Sequence, residues 1–386
     1  MKKILINKSL DGVSTALVKN GKLIELLQDA TEESLAGNIY LGIVKKVTNA
    51  FIFLDIGHEK QAFLDTKDSR ERRLFPPGKP PAKPGDTMVV QVLKDAIGNK
   101  GPNVTSSIAY TGRYIMIYES LDNDKINCSK KIQSYDEIKR LKTLASTLLP
   151  PGFSAILRSA ADGKSEDVIG AEVEMLLERQ AQTLENVQTK TPTTLFAQSG
   201  IVKTMLEIVS ENVDQIVVDD AAVLKQIKEE FIPLMGADFG QKLVSHQSSE
   251  CIFEANFVKN QMDKLYDKRV WLKCGGFIVI EQTEACVVID VNTGKFQSKG
   301  GEMSKLALNI EAATEIAYQL RLRNLSGIII VDFLRMLSRQ DTHKLLKFLE
   351  LELYKDRISA LLVGMTNLGL VELTRKRVRK PLVRGR

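Results

Sequence analysis

The sequence predicts a multidomain α/β (α+β) protein, and three observations predict it. Residues 285–336 hold two short Val- and Ile-rich runs, Ala285–Ile289 and Gly327–Val331, each closed by an acid and separated by a long helical pattern. Short apolar runs of that kind read as buried strands. Residues 37–112 alternate apolar and polar side chains with Gly at the bends, as small barrels do. Residues 1–36 read as three strands turning at Asp11-Gly12 and Asn20-Gly21, good hairpin dipeptides. Three strands are too few to bury a core, so a later segment must pack on them.

Composition sets the outer bounds. At 386 residues, 44% hydrophobic and 26% charged, the chain is ordinary globular material, long enough for two or more domains. No stretch approaches membrane-spanning length, and Met1–Ile6 is cut short by Asn7 and Lys8, too early for a signal peptide. Cys128, Cys251, Cys274 and Cys286 form no C-x-x-C pair, so no zinc knuckle is written, and a soluble cytoplasmic protein is expected. The net charge of +6 permits an anionic partner. Thr374–Arg386 concentrates that charge, with seven Lys or Arg and no acid, and reads either as a solvated tail or as a phosphate contact.

Along the chain, the barrel-like stretch places Phe53 and Phe63 beside polar turn positions in strand segments. They are either core rings or, on an OB-type face, platforms on which bases stack. Lys100, in the turn GNKG, faces a phosphate or only water. The loop carrying Pro76, Pro77, Pro80, Pro81 and Pro84 reads as mobile. Residues 113–202 are mixed: RYIMIYES and FSAILRSA read as strands, Tyr135–Leu149 and Ser165–Leu184 as helices. Arg158 and Ser159 follow a strand, a cation and a hydroxyl suited to a phosphate or to an ordinary surface ion pair. Residues 203–268 return to α/β, with a short strand ending in Asp219 and Asp220. With no matched second strand in view, those two acids are assigned turn and capping duty. Lys268, Arg269 and Lys273 lie close to the acid-tipped runs and are candidates for the same groove.

Within residues 285–336, Glu302–Asn324 is apolar at Leu306, Ile310, Ala313, Ala317 and Leu320 and has no internal Pro or Gly, a helical pattern. Strand, long helix, strand sets Asp290 and Asp332 at strand ends, where α/β enzymes commonly build their sites. Asn292, two residues after Asp290, shares its face of an extended segment. Two carboxylates and an amide are hard oxygen ligands, suited to Mg2+ rather than zinc. The plainer reading is that each Asp merely ends a strand. Past Asp332 come a helix over Asp341–Tyr354, with His343 at its surface, and a strand, SALLVGM. No Ser–His–Asp or His–Cys arrangement and no Walker loop or paired-Gly fingerprint stands out, which disfavours nucleophilic catalysis and nucleotide cofactors.

The chain resembles the bacterial ribonuclease E/G family at GGFIVIEQTEACVVIDVNTGKF, EAATEIAYQLRLRNLSGIIIVDF and GLVELTRKRV, and in the barrel at GNIYLGIVKKV, FLDIG, QAFL and GNKG. The resemblance runs from about residue 1 to 380, in the family's order. It implies a ribonuclease H-like domain (1–36 and 203–268) split by an OB-fold (37–112) and a 5′-sensor region (113–202), then a deoxyribonuclease I-like domain (269–386). It implies an endoribonuclease that cuts single-stranded AU-rich RNA in RNA processing and decay and leaves 5′-phosphates. By the same resemblance Asp290 and Asp332 hold Mg2+ and Asn292 orients the attacked phosphate. Phe53, Phe63 and Lys100 clamp RNA, and Arg158 and Ser159 grip a 5′-monophosphate.

Four features depart from the family pattern. Arg335 stands where the family has an acid, Ser159 replaces a sensor Thr, and Ser359 replaces a second sensor cation. The family's zinc-link cysteines are absent up to Arg386, so any homo-oligomer is expected to form without them. Arg335 keeps open an alternative, an RNA-binding or assembly protein of the family with impaired cleavage. A metabolic Mg2+ enzyme is a third reading, distinguished by RNA binding that is weak and little affected by salt.

Overall fold

The structure is a computed structural model that describes residues 1–30, 34–66, 82–96, 100–119, 125–185, 187, 191–209, 213–295, 302–379 and 381–382. Most of the Pro-rich loop, through Pro81, and the first two residues of the GNKG turn lie outside them. The chain forms two compact units: residues 1–28 with 214–219 and 246–386, and residues 29–213 with 220–245. It is a mixed α/β protein containing a closed five-strand barrel consistent with an OB-like fold. Among the described residues no helix is long and apolar enough to cross a membrane.

The first three strands are β1 (Lys2–Ser9), β2 (Gly12–Lys19) and β3 (Lys22–Ala30), hairpin-connected as the turn dipeptides require. The barrel follows as β4 (Ile39–Val47), β5 (Phe51–Asp55), β6 (Ala62–Asp65), β7 (Thr87–Lys94) and β8 (Asn103–Thr105). Pairing runs β4-β5-β6-β8-β7 and returns from β7 to β4, which closes the sheet. Alternation fills it: Ile52, Leu54, Ala62, Leu64, Val90 and Val104 point inward, and Phe51, Phe53 and Phe63 are left on the outer side.

Next come β9 (Ala109–Thr111), β10 (Ile115–Glu119), β11 (Ile126–Cys128) and β12 (Phe153–Leu157), a sheet ordered β11-β12-β10-β9. The helices Tyr135–Leu148 and Glu166–Glu185 pack on it through Leu141, Ala145, Ile169 and Val173. β13 (Thr193–Phe196) pairs with β4.

β14 (Gln215–Val218) supplies the partner that the N-terminal strands need. It runs parallel to β1, with Ile4 opposite Ile216 and Ile6 opposite Val218. The strand before Asp219 and Asp220 therefore has a parallel neighbour, but one that carries no acid at its end; instead Asn7 Nδ2 donates to Asp219 Oδ2 at 2.5 Å. The capping duty stands: Asp220 Oδ1 accepts from Val223 N at 2.9 Å at the start of the helix Ala221–Gln226. Leu5, Val18 and Leu23 pack with Ile252, Phe253, Leu265 and Leu322, which completes this core. β15 spans Leu243–Ser245.

The last sheet contains β16 (Arg269–Trp271), β17 (Phe277–Gln282), β18 (Cys286–Asn292), β19 (Gly327–Asp332), β20 (Ala360–Met365) and β21 (Val371–Arg375), in the order β16-β17-β18-β19-β21-β20. The long helix Glu302–Leu322 joins β18 to β19, which are parallel, as a crossover requires. That helix and the helix Arg339–Tyr354 cover one face through Leu308, Ile316, Leu320, Leu345 and Leu349, against Ile289, Val291, Ile329 and Val331. The other face is exposed among the described residues, at Val288, Ile328, Leu361 and Val363.

Candidate active site

β18 and β19 are in parallel register with Asp290 opposite Asp332. Adjacent strands stand about 4.8 Å apart, so the two carboxylates emerge side by side. Their neighbours Ile289, Val291 and Val331 are buried beneath the helices, which fixes both acids on the open face, where both are exposed. Asn292 shares that face, and its Nδ2 donates to Asp290 Oδ2 at 2.8 Å, orienting the carboxylate. The structure thus brings all three sequence-predicted residues together.

The surroundings hold this edge in place. Buried Asn309, on the long helix, donates Nδ2 to Leu334 O at 2.9 Å and accepts from Leu334 N at 3.1 Å, pinning the chain just after Asp332. Sequence reading missed it, because an Asn in a helical pattern carries no local sign of its partner. Gly276 is required by close approach: a Cβ there would sit 2.9 Å from Leu308 Cδ1 and 3.0 Å from Asn292 O. Arg335 is exposed, with its carbonyl accepting from Lys305 Nζ at 3.4 Å. Ser359 is exposed too, at a surface hollow with Ile328, Leu361, Lys376 and Arg377.

Two carboxylates and an amide, all hard oxygen donors on an exposed edge, fit Mg2+, which keeps several of its own waters and accepts few protein ligands. Among the described residues no group of three or more His, Cys, Asp or Glu forms a fuller metal cage.

On the barrel, Phe53 lies opposite Phe63 in the β5–β6 register, both half-buried on the outer side. Phe51 joins them, 37% exposed, its ring centre 6.4 Å from that of Phe53 and 5.6 Å from that of Phe63. The F-I-F alternation was the available signal for this third ring. Lys100 is exposed three residues before Asn103, the β8 partner of Phe63. Gly101 beside it is packed so close that a Cβ would fall 1.8 Å from Gln61 O, which ties the Lys100 segment to the approach of β6.

Arg158 and Ser159 are adjacent at the end of β12, with Ser159 opening a single 3-10 turn, Ser159–Ala161. The Arg158 guanidinium donates Nη1 to Gly112 O at 2.5 Å and Nη2 to Leu206 O at 3.4 Å. Burial lowers its pKa, and the nearby Glu172 carboxylate opposes that shift. Glu172 accepts from Arg113 N, Tyr114 N and Ile115 N at 2.5, 2.7 and 2.9 Å, while burial pushes its own pKa up. Much of Arg158 is therefore committed to backbone carbonyls. His343 is exposed, as the sequence reading has it. The basic run Thr374–Arg386 is not one solvated tail: Arg375 lies in β21, 3% exposed and ion-paired with Asp356 at 2.8 Å.

An open sheet face with two acids in register in one unit, and a closed barrel bearing aromatic rings in the other, are features suited to a nuclease. A description of the ribonuclease E/G family matches residues 109–378. The chain is 34% identical to ribonuclease G of Haemophilus influenzae, over 98% of this chain and 80% of that protein. It is 31% identical to ribonuclease G of Escherichia coli, with the same coverage of 98% and 80%. Against ribonuclease E of Synechocystis it is 36% identical over 92% of this chain but 54% of that longer protein. The chain belongs to the ribonuclease E/G family and is an endoribonuclease of RNA processing.

Proposed function

We propose that the chain is a Mg2+-dependent endoribonuclease that cuts single-stranded AU-rich RNA in RNA processing and messenger RNA decay, leaving 5′-phosphate and 3′-hydroxyl ends. The observation that carries this reading is the register of Asp290 with Asp332 on an open sheet face, with Asn292 bonded to Asp290. Asp290 and Asp332 would hold the metal. When bound, Mg2+ supplies a water activated for attack and neutralises charge on the phosphodiester. Asn292 keeps the Asp290 carboxylate turned toward its task and offers its second N–H to the attacked phosphate. The cut then needs position and electrostatics, not a protein nucleophile.

Phe53 and Phe63 stack on exposed bases and Lys100 meets the backbone, which favours single strands over duplexes. Arg158 and Ser159 take a 5′-phosphate through the donors that the carbonyls leave over. The domain arrangement that goes with this reading is a ribonuclease H-like domain, an inserted OB-fold, a 5′-sensor and a deoxyribonuclease I-like domain, working in the cytoplasm. The alternative, an RNA-binding protein with impaired cleavage, draws on the exposed Arg335, a cation three residues past Asp332.

The test is a 5′-monophosphorylated AU-rich single-stranded RNA incubated with the purified chain in Mg2+ or in EDTA. Internal cuts that need Mg2+ and leave 5′-phosphates are expected. RNA bound but uncut under both conditions would replace this reading with the alternative, and RNA neither bound nor cut would overturn both.

A further inference from the structure

The open face of the catalytic sheet continues past the acids to a group that the reading above does not use. β16 pairs with β17 so that Trp271 is opposite Phe277, and Phe277 is in turn opposite Asn292 on β18. Directly opposed residues share a face. The row beside it runs Arg269, Val279, Asp290, Asp332. Trp271 and Arg269 thus stand on the face of the acids, two strands away, about 10 Å at ordinary strand spacing.

Three properties of this group point to a ligand. Trp271 is 55% exposed, a large share for a ring that the fold could have buried. Its ring centre is 5.2 Å from that of Phe277 at an angle of 59°, a tilted pair next to Asn292 in the strand register. Arg269 lies over both rings, its guanidinium carbon 4.5 Å from the Phe277 centre and 5.8 Å from the Trp271 centre. Among the described residues no carboxylate pairs with Arg269. The nearest acid along the same face of β17, Glu281, is bound to Lys268 at 2.9 Å instead.

We propose that Trp271, Phe277 and Arg269 form a second base-stacking site for single-stranded RNA, one that holds a nucleotide next to the phosphate at the Asp290–Asp332 pair. The proposal rests on the endoribonuclease reading. A flat ring offers a sequence-tolerant surface to a base, and an unpaired guanidinium stacked on it supplies the charge for the adjoining phosphate. A duplex cannot present a base to that ring without unstacking it, so the site also reinforces the single-strand preference.

Trp271 is the chain's one tryptophan, so intrinsic fluorescence reports on this site directly. The experiment titrates the Asp290→Asn chain with an AU-rich single-stranded RNA, reading tryptophan emission and, on parallel samples, retention of radiolabelled RNA on a filter. Emission is expected to change and to saturate with filter retention. Trp271→Ala is expected to weaken retention about 5- to 150-fold, and Trp271→Phe to restore most of it. Circular dichroism of the two variants shows that both are folded. RNA retained with emission unchanged and with Trp271→Ala as tight as the parent would overturn this site and leave the nuclease reading standing. No retention at all would overturn both. Emission that follows protein concentration without RNA, together with a smaller assembly in Trp271→Ala, would assign the face to a second copy of the chain and also overturn the proposal.

Discussion

Removing the Asp356 carboxylate tests what holds the acid-bearing sheet together. Arg375 on β21 donates Nε to Asp356 Oδ2 at 2.8 Å, and its Nη1 donates to Asn324 Oδ1 and Leu325 O, both at 3.0 Å. The two ionic side chains are 2% and 4% exposed. Asp356 also accepts from Ile358 N at 2.9 Å. Arg375 lies opposite Gly327, the first residue of β19, the strand that ends in Asp332. Asp356→Ala leaves a guanidinium buried without its countercharge, a loss of about 3–5 kcal/mol. Because two neutral acceptors remain, the lower end, about 3 kcal/mol, is expected. Urea unfolding followed by Trp271 emission reads this sheet specifically, and the midpoint shift with an unchanged slope gives the loss. Adding Arg375→Met to Asp356→Ala removes the stranded charge and should recover part of the stability. A loss below about 1 kcal/mol, or no recovery in the double variant, would refute the reasoning that a buried charge is at stake.

Two further outcomes are expected. Phe53→Ala and Phe63→Ala should each weaken single-stranded RNA binding by about 1–3 kcal/mol, measured by filter retention, with the circular dichroism unchanged. The Arg140 guanidinium beside Glu137 holds that carboxyl down at about 2 against an ordinary 4.5, so Glu137 stabilises the fold fully above pH 4.5 and progressively less as pH falls toward 2. Glu137→Gln should therefore lower the urea midpoint near neutrality and flatten its fall between pH 4.5 and 2, the two chains converging at the acid end.

How much could be read in advance depended on how local each feature is. The strands carrying Asp290 and Asp332 were legible because each holds a short Val/Ile run followed by an acid, although β18 runs on to Asn292. The helix between them was legible because its apolar positions keep one period, and it ends at Leu322, just before Asn324 takes a φ of 48°. The barrel showed in its alternation. What failed to show depends on partners distant in sequence. β14 finds β1 across some two hundred residues, so the strand's parallel neighbour did not show. Arg375 reads as part of a solvated basic run until Asp356 is placed against it. Trp271 sits in a strand of three residues, too short for alternation to assign a face. Asn309 is a polar residue in an apolar pattern whose purpose is visible only once the chain after Asp332 folds back onto it.

The most direct test of the central claim is cleavage of AU-rich single-stranded RNA in Mg2+ by Asp290→Asn and Asp332→Asn, beside RNA affinity for the same variants. The account predicts cleavage lower by at least about 100-fold, the scale of losing one electrostatic contact to the transition state, with affinity little changed. Either variant cutting at the parent rate would contradict the assignment of this acid pair as the catalytic centre.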